Sequence, residues 1–150
     1  EIRSQFGRIV GIIHGAGVAR DCLIADLVGS ETRAGEDAKI AGAVHLAAAT
    51  VVDEPDVFVL FGGLVAETGN RGQALYGYAN AYLAEFAEGN PKRRYIGWPL
   101  WADGGMRMPA DVLEHLTLTT GLQAMPTDVG LQLLDQAASL SCSGAEERIR

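Results

Sequence analysis

Three short runs of β-branched, aromatic and other apolar residues punctuate the chain: Ile9 to Ile13, Val57 to Phe61 and Tyr95 to Trp98. Each is bounded by Gly, Pro or Asp and is too continuously apolar for a strand with one wet face. Each therefore predicts a parallel strand buried on both faces. Between them, residues 38–50 and 73–88 are rich in Ala, with apolar residues three and four apart, as helices packed on a sheet require. The order is β-α-β-α-β. Two further helices are predicted at 110–119 and 127–139, the second opened by Pro126-Thr127-Asp128. There is no internal repeat and no low-complexity tract.

This alternation predicts an α/β fold with a doubly wound parallel sheet, in which ligands bind beyond the carboxyl ends of the strands. The informative loops are then His14-Gly15-Ala16-Gly17, Gly62-Gly63-Leu64 and Pro99-Leu100-Trp101-Ala102-Asp103-Gly104-Gly105.

Composition narrows the picture. The 150 residues, 48% hydrophobic and 21% charged, suit one soluble domain with a core and exclude wholesale disorder. Twelve Lys plus Arg against 19 Asp plus Glu leave a net charge of −7. The only basic cluster is Lys92-Arg93-Arg94, so no nucleic acid partner is expected. No apolar run approaches the roughly 18 to 20 residues that span a bilayer, so no membrane partner is expected either. Cys22 and Cys142 have neither CxxC spacing nor a nearby His, which suggests no metal site and no disulfide framework. A reducing, cytoplasmic compartment is the expectation. Residues 1–8 lack the apolar stretch of a signal peptide, and Glu1 is not a natural start, so the chain reads as an excised piece.

The chemistry centres on Tyr76-Gly77-Tyr78-Ala79-Asn80. Tyr76 and Asn80 lie four apart, one turn along one helical face. A tyrosine can protonate a developing alkoxide if a nearby cation makes its phenol, ordinarily near pKa ~10, more acidic. Lys39 is the only lysine ahead of the 92–94 cluster and lies on the helix before the second strand. A Tyr, a Lys and an Asn converging beside a loop form the layout of a proton relay for carbonyl reduction.

Four segments resemble the ketoreductase domains of modular polyketide synthases, members of the short-chain dehydrogenase/reductases. Residues 11–18 (Gly-Ile-Ile-His-Gly-Ala-Gly-Val) resemble the strand and turn beneath the cofactor, and residues 39–46 resemble the K-x-x-G-A-x-x-L helix. Residues 69–83 resemble the catalytic helix, with Tyr-x-x-x-Asn in place of the wider superfamily's Tyr-x-x-x-Lys. Trp98-Pro99-Leu100-Trp101-Ala102-Asp103-Gly104-Gly105-Met106 resembles the nicotinamide and lid segment. The resemblance implies the C-terminal portion of a Rossmann-like fold and NADPH as cofactor. It implies a β-ketoacyl substrate carried on an acyl carrier protein. Tyr76, Lys39 and Asn80 would be catalytic, and His14, Ala16, Gly17, Lys39, Tyr76 and Pro99 would bind the cofactor. Asp21, Trp101 and Met106 would govern substrate and stereochemistry. His14 reads as a hydrogen-bonding residue under the cofactor rather than an acid or base, and Trp98 and Trp101 fit either core or cofactor contact.

Two departures stand out. The catalytic Ser of the Phe-Ser-Ser motif lies 13 residues before the Tyr, a position held here by Gly63, and Gly62 replaces the other Ser. Losing such a hydroxyl donor costs about 3 to 4 kcal/mol in the transition state, roughly 10² to 10³ in rate. Impaired reduction is the expectation, with a catalytically inactive structural domain as the alternative. The second departure is the lack of any G-x-G-x-x-G turn for the pyrophosphate. Residues 1–150 thus read as a domain fragment whose first strand, an apolar edge, needs the N-terminal half of the fold or neighbouring synthase domains as partner. Ala19-Arg20-Asp21 stands where a Leu-x-Asp motif sorts stereochemistry, and Thr68 where the opposite group has Trp. Asp21 therefore points to the D-configured hydroxyl.

Overall fold

A computed structural model describes residues 1–18, 21–27, 37–106 and 108–139. The chain divides into two compact units, one from Glu1 to Gly97 and one beginning at Trp98. The first opens with helix α1 (Ile2–Phe6) and strand β1 (Gly11–His14). A π-helical turn (Asp37–Ala41) then runs into α2 (Gly42–Ala49), and β2 (Val57–Gly63) follows. A short α3 (Val65–Thr68) precedes the long α4 (Ala74–Glu88), and β3 (Arg93–Trp98) leads into the second unit. The strands form one sheet in the order β1-β2-β3. β1 runs parallel to β2, with Gly11 opposite Val57 and His14 opposite Leu60. This is the parallel sheet with flanking helices that the alternation predicts.

Strand periodicity sends Ile12, Phe58 and Leu60 to the helix-covered face, where they meet Ala43 of α2 and Leu83 and Ala87 of α4. Small residues at 43 and 87 let both helices approach the sheet. Leu60 and Leu83 are wholly buried, each contributing roughly 1.5–3 kcal/mol through the apolar surface it removes from water.

β1 corrects one expectation: it is not buried on both faces. Ile12 and His14 are buried, whereas Gly11 and Ile13 are exposed, Ile13 at 60%. Among the described residues β1 pairs with β2 alone, at the sheet edge, and the core helices cover the face that carries Ile12. The strand limits also move, since β1 starts after Ile9 and Val10 while β2 runs on through Gly62 and Gly63.

The N-terminal segment is tied down by charge. Arg3 Nε lies 3.0 Å from both carboxylate oxygens of buried Asp53, and the Ile9 amide donates to the same carboxylate. Arg3 holds Asp53 below the usual carboxylate range. Part of the basic cluster is structural, because Arg93 stacks on the Phe86 ring and donates to Phe86 O.

The second unit carries α5 (Ala110–Thr120) and α6 (Thr127–Ser139), close to the limits expected. Gly121, with φ of 74°, ends α5 in the left-handed conformation that glycine accepts without strain. Met125 pairs with the backbone at Leu100 and Ala102. The Trp101 ring packs on Gly130, where an added Cβ would lie 2.5 Å from Cη2. Among the described residues no helix is long and apolar enough to cross a membrane.

Candidate active site

The first unit assembles a site at the carboxyl ends of β1 and β2. His14, the last residue of β1, is buried, and its Nε2 lies 2.9 Å from Lys39 O, with the carbonyl as acceptor. That contact anchors the π-helical turn carrying Lys39, and such turns frequently mark functional positions. Lys39 is only 3% exposed, and its Nζ donates to Phe61 O at 2.8 Å. The side chain passes against Gly17, where a Cβ would stand 2.9 Å from Lys39 Cε, so glycine there makes room for the lysine. Burial lowers the Lys39 pKa to about 8.

Tyr76 stands in the first turn of α4. Lys39 Nζ lies 5.5 Å from the centre of its ring, within cation–π range. Its hydroxyl faces the end of β2, where a Cβ on Gly63 would be 3.3 Å from Tyr76 Oη. Asn80, one turn on and wholly buried, donates from Nδ2 to Tyr76 O at 2.7 Å. Asn80 Oδ1 is buried and accepts no hydrogen bond among the described residues.

The electrostatics differ from the sequence-based expectation. The Tyr76 phenol is not made more acidic: burial raises its pKa, the Asn80 amide works against that rise, and the Asp21 charge adds to it. The physical reason is placement. The Lys39 ammonium lies over the ring and is bonded to a backbone carbonyl, so it offsets little of the desolvation of a phenolate.

Asp21 is exposed, and both its oxygens accept from Gln73 Nε2 at 3.1 Å, docking its loop at the start of α4. Ala16 is exposed in the turn after β1. Pro99, Trp101 and Met106 belong to the second unit. There, Trp101 and Met106 line a hollow of about 310 Å³ with Leu100, Met108 and Leu113. Trp98 and Trp101 meet edge to face at 5.0 Å. Ala19, Arg20 and Cys142 lie outside the described residues.

Sequence reasoning missed Tyr95. Its ring occupies the space beside Gly62, so that a Cβ there would overlap Cε2, Cζ and Oη. The signal available was the Gly62-Gly63 pair inside a strand, a mark of close approach by another group.

The KR domain family matches residues 1–103. The chain is 36% identical to polyketide synthase PksL of Bacillus subtilis, over 100% of this chain and 4% of that synthase. It is 39% identical to polyketide synthase ThaG of Burkholderia thailandensis, over 81% of this chain and 2% of that protein. A crystal structure of a ketoreductase domain from the bacillaene assembly line superposes with a TM-score of 0.84 at 34% identity. The match covers 91% of this chain and 35% of that one. The chain therefore spans a small part of each curated relative and about a third of a solved ketoreductase chain.

Proposed function

This chain belongs to the KR domain family of the polyketide synthases, and we propose that it carries the catalytic half of an NADPH-dependent reductase. The substrate class would be a β-ketoacyl thioester on an acyl carrier protein, and the product the β-hydroxyacyl thioester. The observation that carries this reading is Tyr76 Oη, aimed at the end of β2 beside the buried Lys39.

A bound reduced nicotinamide would supply a hydride to the carbonyl carbon. Tyr76 gives its proton to the carbonyl oxygen, and the burial that raises its pKa keeps the phenol protonated until that oxygen gains charge. Lys39, over the ring, holds the Tyr76 side chain in its orientation through contact with the ring face. The open acceptor on Asn80 Oδ1 suits ordering of the relay that returns a proton to Tyr76.

The residues fit the nicotinamide end of such a cofactor. Gly17 leaves room for Lys39 where a Cβ would intrude, His14 bonds the Lys39 carbonyl, and Lys39 Nζ in turn lies over the Tyr76 ring; with Ala16 these would form the wall of the nicotinamide site. Pro99 would contact the cofactor, and Asp21, Trp101 and Met106 would act on the substrate, with Asp21 favouring the D-hydroxyl. The pyrophosphate end has no Gly-rich turn here, so the reading requires the N-terminal half of the fold or neighbouring synthase domains. The compartment we propose is the cytoplasm, and among the described residues Cys22 is in no disulfide.

Gly63 limits the rate, and it also favours a second reading, a structural domain without activity. The test is nicotinamide oxidation by the natural-length protein with a 3-oxoacyl thioester. NADPH-dependent turnover that Tyr76→Phe abolishes supports the reductase. No turnover, even after Gly63→Ser, leaves the structural reading.

A further inference from the structure

The geometry points to His14 as the positioning residue for Lys39: it acts on the reaction through the lysine, whose main chain it holds inward. The inference rests on the reductase reading above. Lys39 is fixed at both ends by neighbouring strands. His14 Nε2, at the end of β1, lies 2.9 Å from Lys39 O, and Phe61 O on β2 accepts from Lys39 Nζ at 2.8 Å. The two anchors sit close together, since His14 is in register with Leu60, the residue before Phe61. Between them the lysine stem passes Gly17, where a Cβ would stand 2.9 Å from Lys39 Cε.

A lysine does not stay in such a place by itself. Its four-carbon stem lets the ammonium swing out to water whenever the backbone beneath it can shift, and a single carbonyl is poor exchange for a hydration shell. Burial accordingly brings its pKa to about 8. The ammonium stays 5.5 Å from the centre of the Tyr76 ring because the main chain at residue 39, inside a π-helical turn, is pinned. His14 supplies the pin. A carbonyl only accepts, so Nε2 carries the proton of that bond. Burying an ammonium costs stability, so a contact that keeps it inside serves the site rather than the fold. His14 is itself 3% exposed, and what it does for the site it does through Lys39.

The test compares two variants in the natural-length protein: His14→Gln, which keeps a donor at the Nε2 position, and His14→Met, which has the same length and no donor. With a 3-oxobutyryl thioester, His14→Met should lower kcat by about 10- to 100-fold, the usual cost of a displaced group. KM for NADPH should hold within about 2-fold, and His14→Gln should recover kcat to within about 3-fold of wild type. Equal losses in the two variants, no loss in either, or a raised KM for NADPH with kcat intact overturn the role of His14 and leave the reductase reading standing. Absence of turnover in all three proteins sinks that reading itself. A second readout needs no turnover: trace acetylation with acetic anhydride at neutral pH, read by mass spectrometry on the Lys39 and Lys92 peptides. Lys39 should be protected relative to Lys92 in the wild type and in His14→Gln, and should lose that protection in His14→Met while the Lys92 rate stays constant. A wild-type Lys39 as reactive as Lys92, or a Lys39 still protected in folded His14→Met, overturns the proposal. If His14→Met yields no folded protein, His14→Gln decides alone, and loss of Lys39 protection there overturns it equally.

Discussion

Lys39 Nζ, buried beneath the Gly17 turn, donates to Phe61 O at 2.8 Å and so joins the π-helical turn to the strand that ends at Gly63. One hydrogen bond does not replace the hydration of an ammonium, and burial brings the Lys39 pKa from 10.5 to about 8.

That shift predicts a pH dependence of stability. Between pH about 8 and 10.5 the unfolded chain holds the Lys39 proton and the folded one does not. Stability attributable to this group therefore rises with pH through that window, once the cost of burying the charge is gone. Urea unfolding of the wild type and of Lys39→Met should show the wild type gaining on the variant from pH about 8 to 10.5. A constant difference would refute the assignment.

Gly62 and Tyr95 form a matched pair, because any side chain at 62 overlaps the phenol. Gly62→Ser should lower stability by about 1–3 kcal/mol, the usual cost of overpacking. Adding Tyr95→Ala should recover part of that loss, so the double variant is more stable than the sum of the single losses predicts. Thermal unfolding of the three variants checks this, and strict additivity would show that the two sites do not meet.

Arg3 and Asp53 predict the acid limb of stability. Arg3 depresses the Asp53 pKa from 3.8, so the stability involved is present above 3.8 and is lost as pH falls through the lower folded-state value. Arg3→Gln should be less stable than wild type at neutral pH, and the gap should close at strongly acid pH. Chemical denaturation at a series of pH values measures the gap, and a gap that persists at the lowest pH would contradict the ion pair's role.

In the second unit Gly130 sits under Trp101, and an added methyl would stand 2.5 to 2.8 Å from the Trp101 ring and Met125 Cε. Gly130→Ala should cost about 1–3 kcal/mol despite the better helix propensity of alanine. It should also change the tryptophan emission spectrum. An unchanged spectrum with raised stability would mean that propensity outweighs the contact.

Much of this architecture is legible without coordinates. Alternation of apolar runs with Ala-rich stretches yields the β-α-β-α-β order, because both periodicities are local properties of a few neighbouring residues. The spacing of Tyr76 and Asn80 puts them one turn apart for the same reason, and the structure bears that out with a bond between Asn80 Nδ2 and Tyr76 O. Strand limits are less legible: Gly62 and Gly63 read as loop residues, yet they extend β2, since pairing with neighbouring strands outweighs the weak strand preference of glycine.

The amino-acid order thus determined which elements form and which side chains share a helical face. Tertiary structure alone decided three things: that β1 buries one face, that Lys39 meets a carbonyl and the face of the Tyr76 ring, and that Tyr95 reaches Gly63. The bonds from Lys39 to Phe61 and from Tyr95 to Gly63 join residues 22 and 32 positions apart, brought together by strand order and close packing. Those distances and burials set the hydrogen bonds and pKa values, and no local pattern encodes them.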